Sequence, residues 1–143
     1  MFVSPAASFA QAPENDLCID AIDINEIFST EIGEQLNVGP FSNVEATGES
    51  ELAAGLVDDW FDPLEGETLP SVDQSVWFRF TGNGETYQIT TYNGPGAAMY
   101  ANDTQAALYS GTCDDLTLVT ANDDLNGFWS ANFGWYYSVL NFT

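Results

Sequence analysis

The sequence has no lysine and no histidine, and Arg79 is its single cationic side chain. Schiff-base and general-base lysine chemistry are therefore excluded, and proton transfer near neutral pH lacks the residue that most often performs it. Serine without such a base is an ordinary polar residue. The shortage of cations also removes partners, because recognition of phosphate displaces counterions with Lys and Arg. Nucleic acid and anionic membrane surfaces are excluded on that ground. Long apolar runs are missing too: nothing approaches the roughly 20 residues that a membrane span needs, so membrane insertion is not expected. Cysteine is scarce, at two residues.

What remains is acidic and aromatic. Asp and Glu number 22, for a formal net charge of -21 over 143 residues. Disordered acidic chains are poor in aromatics, whereas this one has ten Phe, six Tyr and four Trp, and 45% of its residues are hydrophobic. That is enough apolar surface to offset the entropy of ordering. Folding is expected to be conditional on relief of self-repulsion, by salt that shortens the Debye length from about 8 Å to about 3 Å or by bound divalent cations. A marine or halophilic setting supplies both.

Residues 1–11 combine apolar and small side chains, with Ser8, Phe9 and Ala10 before Gln11. This run reads as the remnant of a secretory signal or, if retained, as an extended N-terminal arm, so a secreted or cell-surface location is expected. In an exported chain an even cysteine count favours a disulfide between Cys18 and Cys113.

Residues 12–143 read as one domain. Short alternating runs bounded by Gly, Asn, Asp and Pro predict strands at 21–28, 35–38, 41–46, 75–81, 86–92, 106–109, 117–121 and 135–142. In 75–81, Val76, Phe78 and Phe80 share one face while Trp77 and Arg79 take the other. About eight strands at this spacing predict an all-β fold, an antiparallel, jelly-roll-like β-sandwich. Residues 49–73 break the pattern with eight carboxylates and two prolines and read as an inserted acidic loop. The abrupt stop after 135–142 leaves either a short last strand or an open sheet edge.

Clustered carboxylates and Asn carbonyls are hard oxygen donors of the kind calcium takes six to eight of. Three clusters qualify: Glu14, Asn15 and Asp16; Asn102 and Asp103; and Asn122, Asp123 and Asp124. None has the spacing of an EF-hand loop, and Asn and Asp are also ordinary turn residues. Trp60 and Phe61 in the acidic loop, with Phe128 and Trp129 after Asn126 and Gly127, are candidate rings for stacking on sugars or anchoring a protein.

Four strings, APENDLCIDAI, SVWFRFTG, NDTQAALYSGTC and LTLVTANDD, stand in that order along the chain. Together they resemble the secreted bacterial β-sandwich modules related to the pre-peptidase C-terminal family. The resemblance extends from Ala12 to about Tyr137; the acidic insert has no counterpart in it. It implies a module attached to secreted enzymes and adhesins, often calcium-loaded, that binds substrate or matrix. Asn15 and Asp16 match the family's N-terminal Asn-Asp, Asp103 its hairpin Asp, and Asn122, Asp123 and Asp124 its Asn-Asp-Asp turn, with Glu14 as a neighbour.

The expected function is that of a non-catalytic extracellular calcium-binding module for adhesion to polysaccharide, matrix protein or a cell surface. The alternative is a subunit that forms a homopolymer, a filament built by N-terminal strand donation into the next sheet. A glycoside hydrolase using two carboxylates is the third reading.

Overall fold

The computed structural model describes residues 11–29, 31, 33–49, 52, 56, 72–91, 104–123 and 137–143. Among the described residues the regular structure is six strands and two 3-10 turns, mostly β. The strands are β1 (Ile22–Asp23), β2 (Phe78–Arg79), β3 (Tyr87–Thr90), β4 (Ala106–Thr112), β5 (Asp115–Asn122) and β6 (Val139–Phe142). They pair as three two-stranded sheets, β1 with β2, β3 with β6 and β4 with β5. Two compact units result: Met1–Ser50 with Val72–Thr81, and Glu51–Ser71 with Gly82–Thr143.

In the first unit, the alternation expected along 75–81 holds. Phe78 meets Phe41 edge-on at 4.6 Å and Phe80 meets Phe28 at 5.6 Å. On the opposite face Arg79 lies 3.9 Å from Asp23, both well exposed, and the Trp77 indole donates to both oxygens of Glu49 at 2.9 Å. The run predicted at 21–28 is shorter than expected. Asp23 Oδ1 accepts from the Asn25 backbone at 2.9 Å and its side-chain amide at 2.7 Å, which turns the chain into the 3-10 segment Asn25–Ser29. β1 and β2 also run parallel, where an antiparallel pairing was expected.

Residues 35–38 and 41–46, read as strands from their alternation, form none. Glu45 has φ +63°, outside the extended region, and the Ala46 amide donates back to Asn43 at 3.0 Å. A turn therefore replaces the strand. The base of the acidic insert is closed: Glu49 donates to the Val72 carbonyl at 2.9 Å and Ser75 to that of Thr47 at 3.1 Å. Gly48 sits so close to Val72 and Asp73 that a Cβ there would collide with main chain, so glycine is required at this crossing.

The second unit holds the longer strands. β4 and β5 form a hairpin whose turn is Cys113 and Asp114, so β4 runs past the 106–109 expected and takes in Ser110 and Gly111. Gly111 lies inside β4 at φ +116°, facing Leu116 across the ladder, a conformation open to glycine. A bulge follows at Leu108 and Tyr109. β5 alternates as expected, with Leu116, Leu118 and Thr120 partly covered and Thr117 and Val119 outward. β3 and β6 pair antiparallel with Tyr87 opposite Phe142, rings 6.2 Å apart, and Gln88 donating to Asn141 at 3.0 Å. The Tyr87 phenol is held above the ordinary tyrosine range by desolvation, opposed by the Asn83 amide and reinforced by the Glu85 carboxylate. Leu56 from the insert is fully buried, as are, nearly, Ala121, Tyr137 and Leu140.

Cys18 and Cys113 form the disulfide expected from the cysteine count. In the chain-entropy picture a loop of this length contributes about 4 kcal/mol. Reduction should therefore lower the denaturant midpoint markedly, and an unchanged midpoint would show that the bond contributes little to cohesion.

Candidate functional site

Asn15 follows a turn in which the Asp16 amide donates to Pro13, and this places its side chain against Trp77. The exchange is two-way. Trp77 N–H donates to the Asn15 carbonyl at 2.8 Å, and Asn15 Nδ2 donates to the Trp77 carbonyl at 3.0 Å. At 2% exposure Asn15 is effectively buried, so its amide belongs to the structure of the unit. Asp16 points the other way: Oδ1 accepts from the Thr47 amide at 2.5 Å and the Thr47 hydroxyl at 3.1 Å. Its Oδ2 lies 3.2 Å from the same hydroxyl. The first cluster thus stitches residues 15–16 to 47 and 77, and Glu14 faces a shallow surface depression.

In the second unit Asn122 and Asp123 of the third cluster lie, with Thr104, around Ser138, which has no exposed surface. The Ser138 hydroxyl donates to the Thr104 carbonyl and to the Asp123 carbonyl, the latter at 2.9 Å. One hydroxyl proton is shared by two carbonyls. The Ser138 amide donates to Thr91 Oγ1 at 3.0 Å and lies 3.4 Å from Thr104 Oγ1, while those two hydroxyls are 2.6 Å apart. Asn122 Oδ1 accepts the next amide, Val139, at 2.7 Å. Its side chain therefore ties the end of β5 to the start of β6, two strands that share no ladder.

Thr104 and the pair Asn122 and Asp123 are drawn to Ser138 and Val139. Thr104 is the covalent neighbour of Asp103, and Asp123 of Asp124. Asp103 and Asp124 themselves lie outside the described residues, as do Trp60, Phe61, Phe128 and Trp129. Among the described residues, no three Asp, Glu, Cys or His side chains converge as a metal would require. The donors that do converge at Ser138 are neutral oxygens: carbonyls, hydroxyls and the Asn122 amide. Hard neutral oxygen of this kind is half of a usual calcium shell, with carboxylates supplying the other half.

Sequence reasoning missed Ser138, Thr91 and Thr104. The signal was present as a small hydroxyl residue inside the run Trp135 to Leu140, where every neighbour is bulky and apolar. It also missed Glu49 as acceptor for Trp77, which sits at the edge of the segment read as a free loop. No family model, curated protein or solved structure matches the chain. Among the described residues no helix is long and apolar enough to cross a membrane.

Replacing Ser138 with Ala leaves the two buried carbonyls without their shared donor. Loss of about 1–3 kcal/mol of unfolding free energy is expected, measured by denaturant titration. A cost near zero would mean that the serine does not hold the segments together.

Proposed function

We propose that the chain is a non-catalytic extracellular β-sandwich module that binds calcium and uses its acidic, cation-neutralised surface for adhesion to matrix or substrate. The observation that carries this reading is the meeting of Thr104 and Asp123 on the buried Ser138 hydroxyl. It brings Thr104 and Asp123, the sequence neighbours of Asp103 and Asp124, to one buried hydroxyl, which supports this reading. Asp103, Asp123 and Asp124 would supply carboxylates, and Asn122 and the main chain neutral oxygens.

Charge supplies the second argument. Only Arg79 offsets 22 acids, and its ion pair with Asp23 is exposed at 3.9 Å, a geometry that contributes at most about 1 kcal/mol. Neutralisation has to come from solution. A divalent ion fixed at a strand junction does this with far less mobile charge than screening by salt. The motif order that resembles the pre-peptidase C-terminal modules points the same way, as does the sandwich that this family forms. The non-catalytic character rests on the lack of His and Lys.

In the first unit the same reasoning gives a weaker site. Asn15 is spent on Trp77 and Asp16 on Thr47, so an ion there has to compete with protein donors.

Terbium luminescence and melting temperature, titrated with calcium at matched ionic strength, test the proposal. Calcium should raise the melting temperature and EDTA reverse it. The double variant Asp103→Asn with Asp124→Asn should lose the effect, whereas Glu14→Gln and Asp16→Asn should retain most of it. A response to calcium no larger than to sodium at equal ionic strength would remove the cation from the account.

A further inference from the structure

The first unit bears a second feature that the cation reading does not use. Among the described residues, the large apolar side chains left exposed are Leu17, Ile19, Leu36, Phe41 and Val44 in this unit and Val119 in the other. Two of them, Phe41 and Val44, border a depression of about 260 Å³. Pro13 and Ile22 complete its apolar wall, while Glu14 and Ser42 are polar members of its rim.

Phe41 is 44% exposed, yet its ring is fixed. Phe78 packs against it edge-on at 4.6 Å. Gly39, at φ +114°, also comes so close that a Cβ there would lie 3.0 Å from the ring. An aromatic ring pre-set in this way loses little entropy when something docks on it.

Three properties define the occupant. Volume is the first: 260 Å³ is below the roughly 300–1,000 Å³ of small-molecule and cofactor cavities, and fits one or two amino-acid side chains. Polarity is the second, since the wall is built from an aromatic, two branched aliphatics and a proline, which suits an apolar side chain. Sign is the third. Glu14 stands on the rim, Glu45 directly follows the wall residue Val44 in sequence, and the whole chain carries -21. This field repels acidic partners and further copies of the same chain, and it attracts basic ones.

We propose that this depression is a docking site for a basic segment of a protein partner, which inserts one apolar side chain beside Phe41 while flanking Lys or Arg residues meet the surrounding carboxylates. The proposal deepens the reading of the chain as an adhesion module by naming the class of partner. It does not require the cation, because the depression and the Ser138 junction belong to different units.

The test is an amide chemical-shift titration of the intact, disulfide-bonded protein with a short peptide of alternating Lys and Leu. Alternating Lys and Ser, alternating Glu and Leu, and dextran serve as comparison probes. The Lys-Leu peptide should shift the amides of Asn15, Ser42 and Val44, and the Lys-Ser peptide should bind at least about tenfold more weakly. Raising salt from about 0.1 M to about 1 M should weaken the Lys-Leu complex, as screening of its charges requires. Phe41→Ser should weaken it by about tenfold or more. If that variant fails to fold through loss of the Phe78 contact, Val44→Ser, at a position 60% exposed, carries the same expectation.

Shifts spread evenly over the acidic surface would overturn the proposal, as would equal binding of the Lys-Ser peptide. Dextran moving these amides in place of the peptide would overturn it in favour of a neutral glycan. Concentration-dependent shifts without any peptide would overturn it in favour of a second copy. Calcium, by contrast, is read at Ser138 and Val139, so failure of the cation reading and failure of this one appear at different residues.

Discussion

Self-repulsion is the constraint to which the rest of this structure answers. A chain with 22 acids and one base gains little from internal ion pairs, and the sheets among its described residues are small: three pairs, one of them only two residues long. An isolated pair of strands is marginal in water. Cohesion therefore has to come from bonds that do not depend on opposite charge. The Cys18–Cys113 disulfide is one. The other is a set of side chains that bond to main chain across long sequence separations.

These bonds share a logic. Asn15 pairs with Trp77, Asp16 with Thr47, Asn122 with Val139, and Ser138 with Thr104 and Asp123. Each satisfies a backbone group at the end of a ladder or outside one, and each brings together segments distant in sequence. A polar side chain on a buried backbone group contributes modestly when made and costs more when lost. Such contacts fix which segments meet even where they add little net stability. Some of the Asn and Asp residues that the sequence reads as metal ligands, Asn15, Asp16 and Asn122, are such clips.

Much of the fold was legible from alternation alone. The faces of 75–81 and of β5 follow period two, and the hairpin of β4 and β5 follows from its flanking apolar pattern. The errors occur where local hydrogen bonding overrides pattern. Asp23 captures Asn25 and ends β1 after two residues, and Glu45 at positive φ turns a predicted strand into a loop. Ser110-Gly111 resembles a turn by composition, but glycine serves there to cross the ladder, and the chain reverses at Cys113 and Asp114 instead. For the site, the acidic motifs were visible because Asn-Asp runs are rare outside turns and ligand loops. Ser138 was not, because a serine's importance lies in its burial and in two carbonyls distant in sequence. Phe41 escaped for the same reason: its fixed ring depends on Phe78 and Gly39, and only one of those is near it in the chain.

Amide hydrogen exchange at the Ser138 junction tests the central claim most directly. With calcium present, exchange at Thr104, Ser138 and Val139 should slow by more than it does in sodium chloride of the same ionic strength, while exchange at Thr47 and Trp77 in the first unit should respond to the two salts alike. Equal protection in both salts at the Ser138 junction would contradict the account, because neutralisation would then be diffuse screening with no ion held by the fold.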